Sequence, residues 1–262
     1  MVPFEALGFH FTGEDDFVDT LGELLEGGRR VPCQKGFYVR WSEAGIELWY
    51  GFLHDHTFTG AVIPFFRSPG ASLRVRVTQV VEDPEYPLCG FLIGDANALL
   101  DVEGVHTGDY PICVQAVDFQ CALEALERSR LLRLQVVGFC GDLAFFDRLE
   151  DLRSYTQGLG AALLDIAPKS FLPVGLFPEV EGEATPQPIA LVGGYLRSLR
   201  LLHNPVTGHP FYHLIVDTQG QRLSLLSADP ALERAKPPRL LLSTVWLAAC
   251  TAEEDFPNAF SA

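Results

Sequence analysis

The sequence predicts an α+β protein, in which a mainly antiparallel β domain is followed by a small β-barrel of the OB or SH3-like kind. Short apolar runs rich in β-branched and aromatic residues recur along the chain and are separated by Gly- and Pro-containing turns. Few segments show helical spacing. The composition of the 262 residues, with 48% hydrophobic and 20% charged residues, 24 Gly and 18 Pro, excludes a disordered chain and a coiled coil.

The first part of the chain predicts the order strand, helix, strand, strand, strand. An apolar run at residues 7–12 predicts the first strand, and the three acidic residues after Gly13 are typical of a helix start. Apolar residues at i, i+4, i+7 and i+8 give that helix one apolar face, and Gly27 and Gly28 end it. The three strands that follow are predicted at 29–33, 37–41 and 46–52.

The middle of the chain predicts a second set of strands with two helical segments. The strands are expected at 73–82, 88–93, 112–117 and 131–138, and the helical patterns at 121–130 and 145–157. Residues 161–177 are apolar but contain two prolines, which predicts a segment that covers a sheet.

The acidic, proline-containing stretch 179–188 is predicted to be a linker, so residues 1–178 form the first domain. Residues 189–250 form the predicted barrel, and residues 251–262 form an acidic tail. In the barrel, a long strand with Gly193-Gly194 is followed by the turn 204–208. Further strands are expected at 211–216, 222–227 and 240–249, with a short helical turn at Asp229-Pro230.

The charge of the chain bears on its partners and its compartment. With 34 acidic and 19 basic residues the formal net charge is −15, which argues against binding to nucleic acid or to an anionic membrane. The start of the sequence lacks the pattern of an export signal, and its longest apolar stretch, about 13 residues, is shorter than the roughly 20 that a membrane helix needs. The six cysteines are scattered, as expected for reduced thiols in the cytoplasm.

The motif Gly45-Ile46-Glu47-Leu48-Trp49 ends the predicted strand-helix-strand-strand-strand unit. This unit resembles one βαβββ module of the glyoxalase-like, or vicinal-oxygen-chelate, superfamily. The resemblance implies that Glu47 binds a divalent metal ion together with a histidine of the first strand. Leu7 stands at that position, and His10, nearby, faces the opposite side of a regular strand. The segments 73–82 and 131–138 show no matching ligand pair of a second module.

Most of the chain also resembles a two-part bacterial family that is known by its motifs rather than by an activity. Those motifs lie in both predicted domains, at residues 36–38, 45–49, 110–111, 204–208 with Phe211, 217–220, 228–230 and 246–247. The sequence departs from them at Gln219, where Gly is expected, and at Ala248, where Ser or Gly is expected. The resemblance implies an architecture and no function.

The candidate metal ligands are Glu47, His54 and His56. Two imidazoles at i and i+2 lie on one face of a strand, but Glu47 is an odd number of residues from His54, so a turn or a bulge has to bring them together. The alternative is that His54 and His56 belong to a polar loop. Glu47 itself either faces water or occupies a cavity, where its carboxylate needs a partner.

An aromatic stripe could line a pocket for a small apolar or aromatic ligand; its members are Phe37, Tyr38, Trp41, Trp49, Tyr50 and Phe52, with Phe58, Phe65 and Phe66 beyond. Tyr38, Trp41 and Trp49, together with Glu47, are the candidate binding residues. The more ordinary role of such a stripe is core packing. His203, His209 and His213 surround the turn 204–208 and are expected to be surface hairpin residues or one cross-strand pair without a ligand. The alternative is that two of them come close enough in the hairpin to bind a metal ion or transfer a proton. Nucleophile elbows and phosphate-binding glycine loops are absent from the sequence.

These observations predict a non-catalytic protein without a cofactor, which binds a small apolar molecule or a protein partner. The first alternative is a divalent-metal-dependent enzyme that uses Glu47 and nearby histidines. The second is an assembly or regulatory protein that acts through the C-terminal barrel. The sequence leaves the oligomeric state open.

Overall fold

The computed structural model describes residues 2–68, 72–100, 106–158, 166–177 and 185–251. The helices are α1 (Val2–Glu5), α2 (Glu14–Glu26), α3 (Phe119–Leu126) and α4 (Leu149–Gly158). The strands are β1 (Arg29–Cys33), β2 (Gly36–Glu43), β3 (Ile46–Leu53), β4 (Phe58–Phe66), β5 (Ser72–Glu82), β6 (Gly90–Ala96), β7 (Leu99–Leu100), β8 (His106–Thr107), β9 (Tyr110–Ala116), β10 (Leu131–Phe146), β11 (Ser170–Leu172), β12 (Ile189–His203), β13 (Pro210–Thr218), β14 (Gln221–Ser227) and β15 (Arg239–Thr251). Two short 3₁₀ helices lie at Val174–Leu176 and Pro230–Arg234. The protein is mostly β, as predicted.

The chain divides into two compact units. The first, here called the N-terminal unit, consists of His10–Val136 and Ala248–Ala262. The second, here called the barrel unit, consists of Met1–Phe9 and Val137–Leu247. The predicted linker lies largely, and the predicted tail almost entirely, outside the described residues, so the division at 179–188 stays a prediction.

The N-terminal unit begins with α2 and an antiparallel sheet in the order β1-β2-β3-β4. Between β2 and β3 the chain turns at Ala44 and Gly45, both with positive φ (49° and 86°), which suits a tight hairpin between right-twisted strands. This hairpin pairs Trp41 with Leu48 and Phe37 with Phe52. Helix α2 and strands β1 to β3 confirm the sequence-based prediction.

The structure corrects the prediction at both ends of this region. Residues 7–12 are not a strand, because α1 precedes them and the N–H groups of Leu7 and Phe9 bond to the Phe4 carbonyl, at 3.1 and 3.0 Å. Gly8 has a φ of +76°, which also turns the backbone. Strand β4, which the sequence did not predict, contains Gly60 and Pro64, which interrupt the strand pattern.

The rest of the N-terminal unit is a second set of paired strands. Strand β5 pairs with β6 and with residues 131–135 of β10, and β6 pairs with β9, all antiparallel. Ala248 and Ala249 of β15 pair in parallel with β9. Helix α3 follows β9 and has buried residues along most of its length, including Phe119 and Cys121.

In the barrel unit, hydrogen-bonded strands close into a ring. Strand β12 pairs with β13 and β15, β13 pairs with β14, β14 pairs with β10, and β10 neighbours β15. The inward side chains of these strands, such as Val192, Leu214, Val216 and Leu225, are fully buried. Strand β10 extends eight residues beyond its predicted end and pairs in parallel with β14, so a strand from outside the predicted barrel segment completes the ring.

The turn between β12 and β13 confirms the local prediction. The Asn204 side-chain oxygen accepts hydrogen bonds from the N–H groups of Val206 (2.9 Å) and Thr207 (3.2 Å). Its amide nitrogen donates to the Leu7 carbonyl at 2.9 Å. This asparagine therefore holds its own turn and the first residues of the chain, and it is 1% exposed.

Candidate functional site

Glu47 lies in the middle of the N-terminal sheet, where β3 pairs it with Ser42 of β2 and Phe65 of β4. By strand alternation its side chain faces away from those of Ile46 and Leu48. Glu47 is 1% exposed, so its carboxylate lies among other side chains and not in water. A buried carboxylate at this position needs compensating donors.

Arg67 supplies those donors. Its Nε donates to Glu47 Oε1 at 2.6 Å and its Nη2 donates to Oε2 at 3.1 Å, which is the forked geometry of an arginine–carboxylate pair. The indole Nε1 of Trp49 donates to Oε2 at 3.0 Å, and Arg40 Nη1 lies 3.8 Å from Oε1. Both oxygens of Glu47 are therefore engaged by positively charged or N–H groups.

The contacts continue from Arg67 to the end of β15. Its Nη2 lies 3.4 Å from Cys250 Sγ, which in turn lies 3.6 Å from Asp118 Oδ2. Asp118 accepts hydrogen bonds from the N–H of Thr251, at 3.1 Å to Oδ2, and from its hydroxyl. Glu47, Arg67, Cys250, Asp118 and Thr251, here called the buried polar network, thus join β3, the residue after β4, β15 and the start of α3.

Burial shapes the protonation of this network. Burial raises the pKa of the Asp118 carboxyl, against the opposing effect of the Thr251 hydrogen bonds. Burial also raises the pKa of the Cys250 thiol well above its ordinary value, and the charge of Asp118 adds to that effect. Burial by itself lowers the pKa of Arg67, but the hydrogen bonds and charges of Glu47 and Cys250 together outweigh it, so the pKa lies above its ordinary value.

The chemistry that such a network supports is limited. A thiol with a raised pKa is protonated at neutral pH and is a poor nucleophile. The oxygens of Glu47 accept hydrogen bonds from Arg67 and Trp49, so a metal ion bound there would have to share them with these donors. The arrangement holds four segments of the N-terminal unit together through charge-assisted hydrogen bonds.

The predicted binding residues are placed on the two faces of the sheet. Tyr38 and Trp49 share the face of Glu47, with their rings 5.8 Å apart in an edge-to-face arrangement, whereas Trp41 lies on the opposite face. Tyr38 donates its hydroxyl to the Leu88 carbonyl at 2.7 Å and accepts from the N–H of Gln120 at 3.0 Å. All three side chains are buried, and their role in binding stays a prediction.

His54 and His56 lie in the exposed turn after β3. His54 Nε2 is 2.8 Å from the Gln34 carbonyl, and the His56 ring packs edge-on against Phe37, with centroids 5.3 Å apart. At about 3.3 Å per residue, the strand places His54 roughly 20 Å from Glu47. The structure therefore does not bring Glu47 together with either histidine. His10 is exposed and precedes α2.

No group of three or more His, Cys, Asp and Glu side chains is arranged to hold a metal ion within the part of the chain that the structure describes. The six cysteines are all buried and free of disulfide bonds. The prediction that they are partly buried thiols agrees with this arrangement.

On the face of the sheet opposite to Glu47, three residues of the predicted aromatic stripe form an aromatic cluster. Phe37 stacks on Phe52 (5.3 Å, 9°), and Phe52 lies 5.4 Å from Phe58 on the neighbouring strand. The guanidinium of Arg30 lies 3.6 Å from the centre of the Phe37 ring, and His56 adds the edge contact described above. Phe58 is 44% exposed. The aromatic stripe contained these residues, but without β4 their register across the sheet was unknown.

One of the three histidines expected on the surface of the hairpin, His213, lies in the interior of the barrel unit. His213 is buried and its Nε2 lies 2.6 Å from Ser224 Oγ, whereas His203 and His209 are exposed beside the turn. Burial, together with the positive charge of Arg200, lowers the pKa of His213 to about 4. Ser224 is completely buried, so this serine–histidine contact is closed to a substrate.

Two findings complete the description. None of the described helices combines the length and the apolar character needed to cross a membrane. Comparison of the chain with models of known protein families, with curated proteins and with solved structures finds no match, so the candidate site rests on its own geometry.

Proposed function

We propose that this protein is a non-catalytic binding protein that takes a small apolar molecule or a protein partner. The observation that carries the proposal is the state of Glu47, the residue that a glyoxalase-like metal site would use. Its two oxygens are held by Arg67 and by Trp49, at 2.6 to 3.1 Å. A carboxylate that is paired in this way is not an open ligand or a general base.

The alternative proposal, a divalent-metal-dependent glyoxalase-like enzyme, requires Glu47 to leave Arg67 and to meet His54 or His56. The structure provides no support for that meeting, because the histidines follow the far end of β3. Helix α2 and the antiparallel order of β1 to β4 support the resemblance to the glyoxalase-like module. Among the described residues, the first strand of that module has no counterpart before α2.

Metal analysis distinguishes these two functions. We expect purified full-length protein to carry far less than one equivalent of divalent metal, and its melting temperature to be unchanged by Mg²⁺, Mn²⁺ or Zn²⁺. One bound equivalent that is lost in Glu47→Gln would overturn the non-catalytic proposal. Circular dichroism of Glu47→Gln controls for a general loss of fold.

We place the binding at the exposed, Phe58 end of the aromatic cluster, since Phe37 at its other end is buried. The rings of Phe37, Phe52 and Phe58 form a row across three neighbouring strands, with Phe58 44% exposed at its end. Arg30 and His56 flank Phe37, so the row combines apolar rings with groups that can carry positive charge. Such a surface suits a flat apolar molecule that bears a negative charge.

A direct test uses 2-naphthoate as the probe and ligand-observed saturation-transfer NMR as the measurement. We expect Phe58→Ser to abolish the transfer signal and Leu201→Ser to leave it unchanged. Leu201 is a matched control because it is 52% exposed and lies in the barrel unit. Equal signals in both variants would show that the aromatic cluster is not the binding surface.

The remaining parts of the proposal concern fold and compartment. The closed strand order of the barrel unit supports an OB or SH3-like barrel, to which β10 contributes. Six buried cysteines without a disulfide bond support a reducing compartment, for which we propose the cytoplasm.

A further inference from the structure

Three cationic side chains of the barrel unit converge on Asp217. Arg197 Nε donates to Asp217 Oδ2 at 2.6 Å, and Arg222 Nε donates to Oδ1 at 3.1 Å. Lys169 Nζ lies 3.8 Å from Oδ2. Three positive charges thus surround one negative charge, on a chain whose formal net charge is −15. These four residues are here called the Asp217 cluster.

The strands fix this arrangement. Asp217 of β13 lies directly opposite Arg222 of β14, and opposite Tyr195 of β12. The pairing of β12 and β13 shifts by one residue between Leu196 and Ser198, and Arg197 occupies that irregularity. Three of the four residues are therefore positioned by paired strands, and Lys169 directly precedes β11.

The exposure of the cluster is layered. The Asp217 side chain is only 14% exposed, whereas those of Lys169, Arg197 and Arg222 are 45%, 49% and 74% exposed. The carboxylate lies beneath the cations and orients them. The hydrogen bonds to Arg197 lower the pKa of Asp217 further than burial raises it, and those to Arg222 act in the same direction, so the carboxylate stays ionised.

Each cation keeps N–H groups that Asp217 does not use. Arg222 contacts Asp217 through Nε, which leaves both terminal nitrogens for another acceptor, and Lys169 retains its ammonium protons. Lys169, Arg197 and Arg222 all pair with Asp217, and within the described part of the chain their side chains have no other hydrogen-bond or ion-pair partner. Counting the described residues alone, the outward side of the cluster thus presents several donors and an excess of two positive charges.

We propose that the Asp217 cluster binds the phosphoryl group of a small phosphorylated molecule. A phosphate monoester carries nearly two negative charges and three acceptor oxygens at neutral pH, which matches two uncompensated cations and planar guanidinium donors. A ligand with a single carboxylate would neutralise only one of these two positive charges. A nucleic acid is disfavoured, because the acidic chain as a whole repels an extended polyanion.

The test is a titration of the full-length protein with inorganic phosphate at constant ionic strength, followed by the NMR signals of the arginine Nε–H groups. We expect saturable shifts of the Arg197 and Arg222 signals. Arg222→Gln should weaken phosphate binding about tenfold, because it removes charge-assisted hydrogen bonds, and Lys169→Gln should weaken it severalfold. Both side chains are on the surface, so both variants should remain folded, which circular dichroism verifies.

Arg148→Gln is the matched control, because Arg148 forms an exposed ion pair with Asp151 at 3.1 Å elsewhere in the barrel unit. The proposal is overturned if the shifts do not saturate, or if Arg148→Gln and Arg222→Gln weaken binding equally. A second titration with phenyl phosphate identifies the source of the phosphoryl group. Tighter binding than inorganic phosphate supports an organic monoester, and equal binding supports phosphate itself as the ligand.

Discussion

The pairing of Glu47 with Arg67 predicts an asymmetric response to mutation. Arg67→Met leaves a carboxylate whose side chain is 2% exposed without its forked partner. Breaking a buried pair in this way costs about 3 to 5 kcal/mol. We expect the lower end, about 3 kcal/mol, because Arg40 remains 3.8 Å away and Trp49 still donates.

Glu47→Gln should cost less, about 1 kcal/mol, because the amide oxygen can still accept hydrogen bonds. Arg67 then keeps its charge, but its side chain is 27% exposed and can be hydrated. In the double variant Glu47→Gln/Arg67→Met no unpaired charge is left, so the total cost should be about 2 kcal/mol, well below the sum of the single changes.

Urea unfolding at pH 7 measures these free energies. In a Trp246→Phe background the fluorescence arises from Trp41 and Trp49, both in the N-terminal unit, so the signal reports on the unit that contains the pair. Lys35→Met, which removes an exposed ion pair with Glu82 in the same unit, should change stability by less than about 0.5 kcal/mol. If Arg67→Met costs no more than this control, or if the single costs simply add, the inference of a desolvated Glu47–Arg67 pair is refuted.

Two further predictions concern other parts of the molecule. The pKa of His213 is lowered to about 4 in the folded protein, whereas in the unfolded chain it has its ordinary value near 6.5, so the unfolded state binds the proton more readily. The contribution of His213 to the free energy of unfolding should therefore be full above pH 6.5 and fall by about 3 kcal/mol on acidification toward pH 4. In His213→Gln the urea midpoint should depend less on pH in this range, and an unchanged slope would contradict the assignment. Gly36→Ala should destabilise the protein by several kcal/mol, roughly 3 or more, because the added Cβ would lie 2.0 Å from the Phe52 carbonyl oxygen. Gly22→Ala, in the middle of α2 with nothing within 4 Å of the new Cβ, should stabilise it by about 0.5 to 1 kcal/mol; thermal melts compare the two, and equal effects would refute the packing argument.

Local patterns predicted those parts of the fold that depend on neighbouring residues. Gly45 and Asn204 mark tight turns that the structure contains, since backbone conformation and side-chain capping act within a few residues. The run 7–12 shows the limit of such patterns. Its apolar residues satisfied a strand pattern, but the hydrogen bonds of Leu7 and Phe9 to Phe4 formed a turn instead.

The candidate site was predictable only in part. Alternation along β3 indicated that Glu47 faces away from Ile46 and Leu48, and the sequence singled it out as a carboxylate within an apolar strand. The identity of its partner was not predictable, because Arg67 follows β4, and Gly60 and Pro64 interrupt the sequence pattern by which that strand could be predicted. The sequence named the aromatic stripe, but the meeting of Phe52 with Phe58 was not predictable for the same reason, since that register depends on β4.

The sequence by itself determined the β-rich class, the acidic surface charge and most of the strand and turn positions, because these follow from composition and short-range periodicity. Only the tertiary structure decided that Arg67 neutralises Glu47, and that Cys250 lies beside Asp118, 132 residues away. It also decided that β10 joins the barrel ring. These pairings depend on which strands meet across long stretches of chain, and the free energy of burying a charge favours a partner wherever the fold brings one within hydrogen-bond distance.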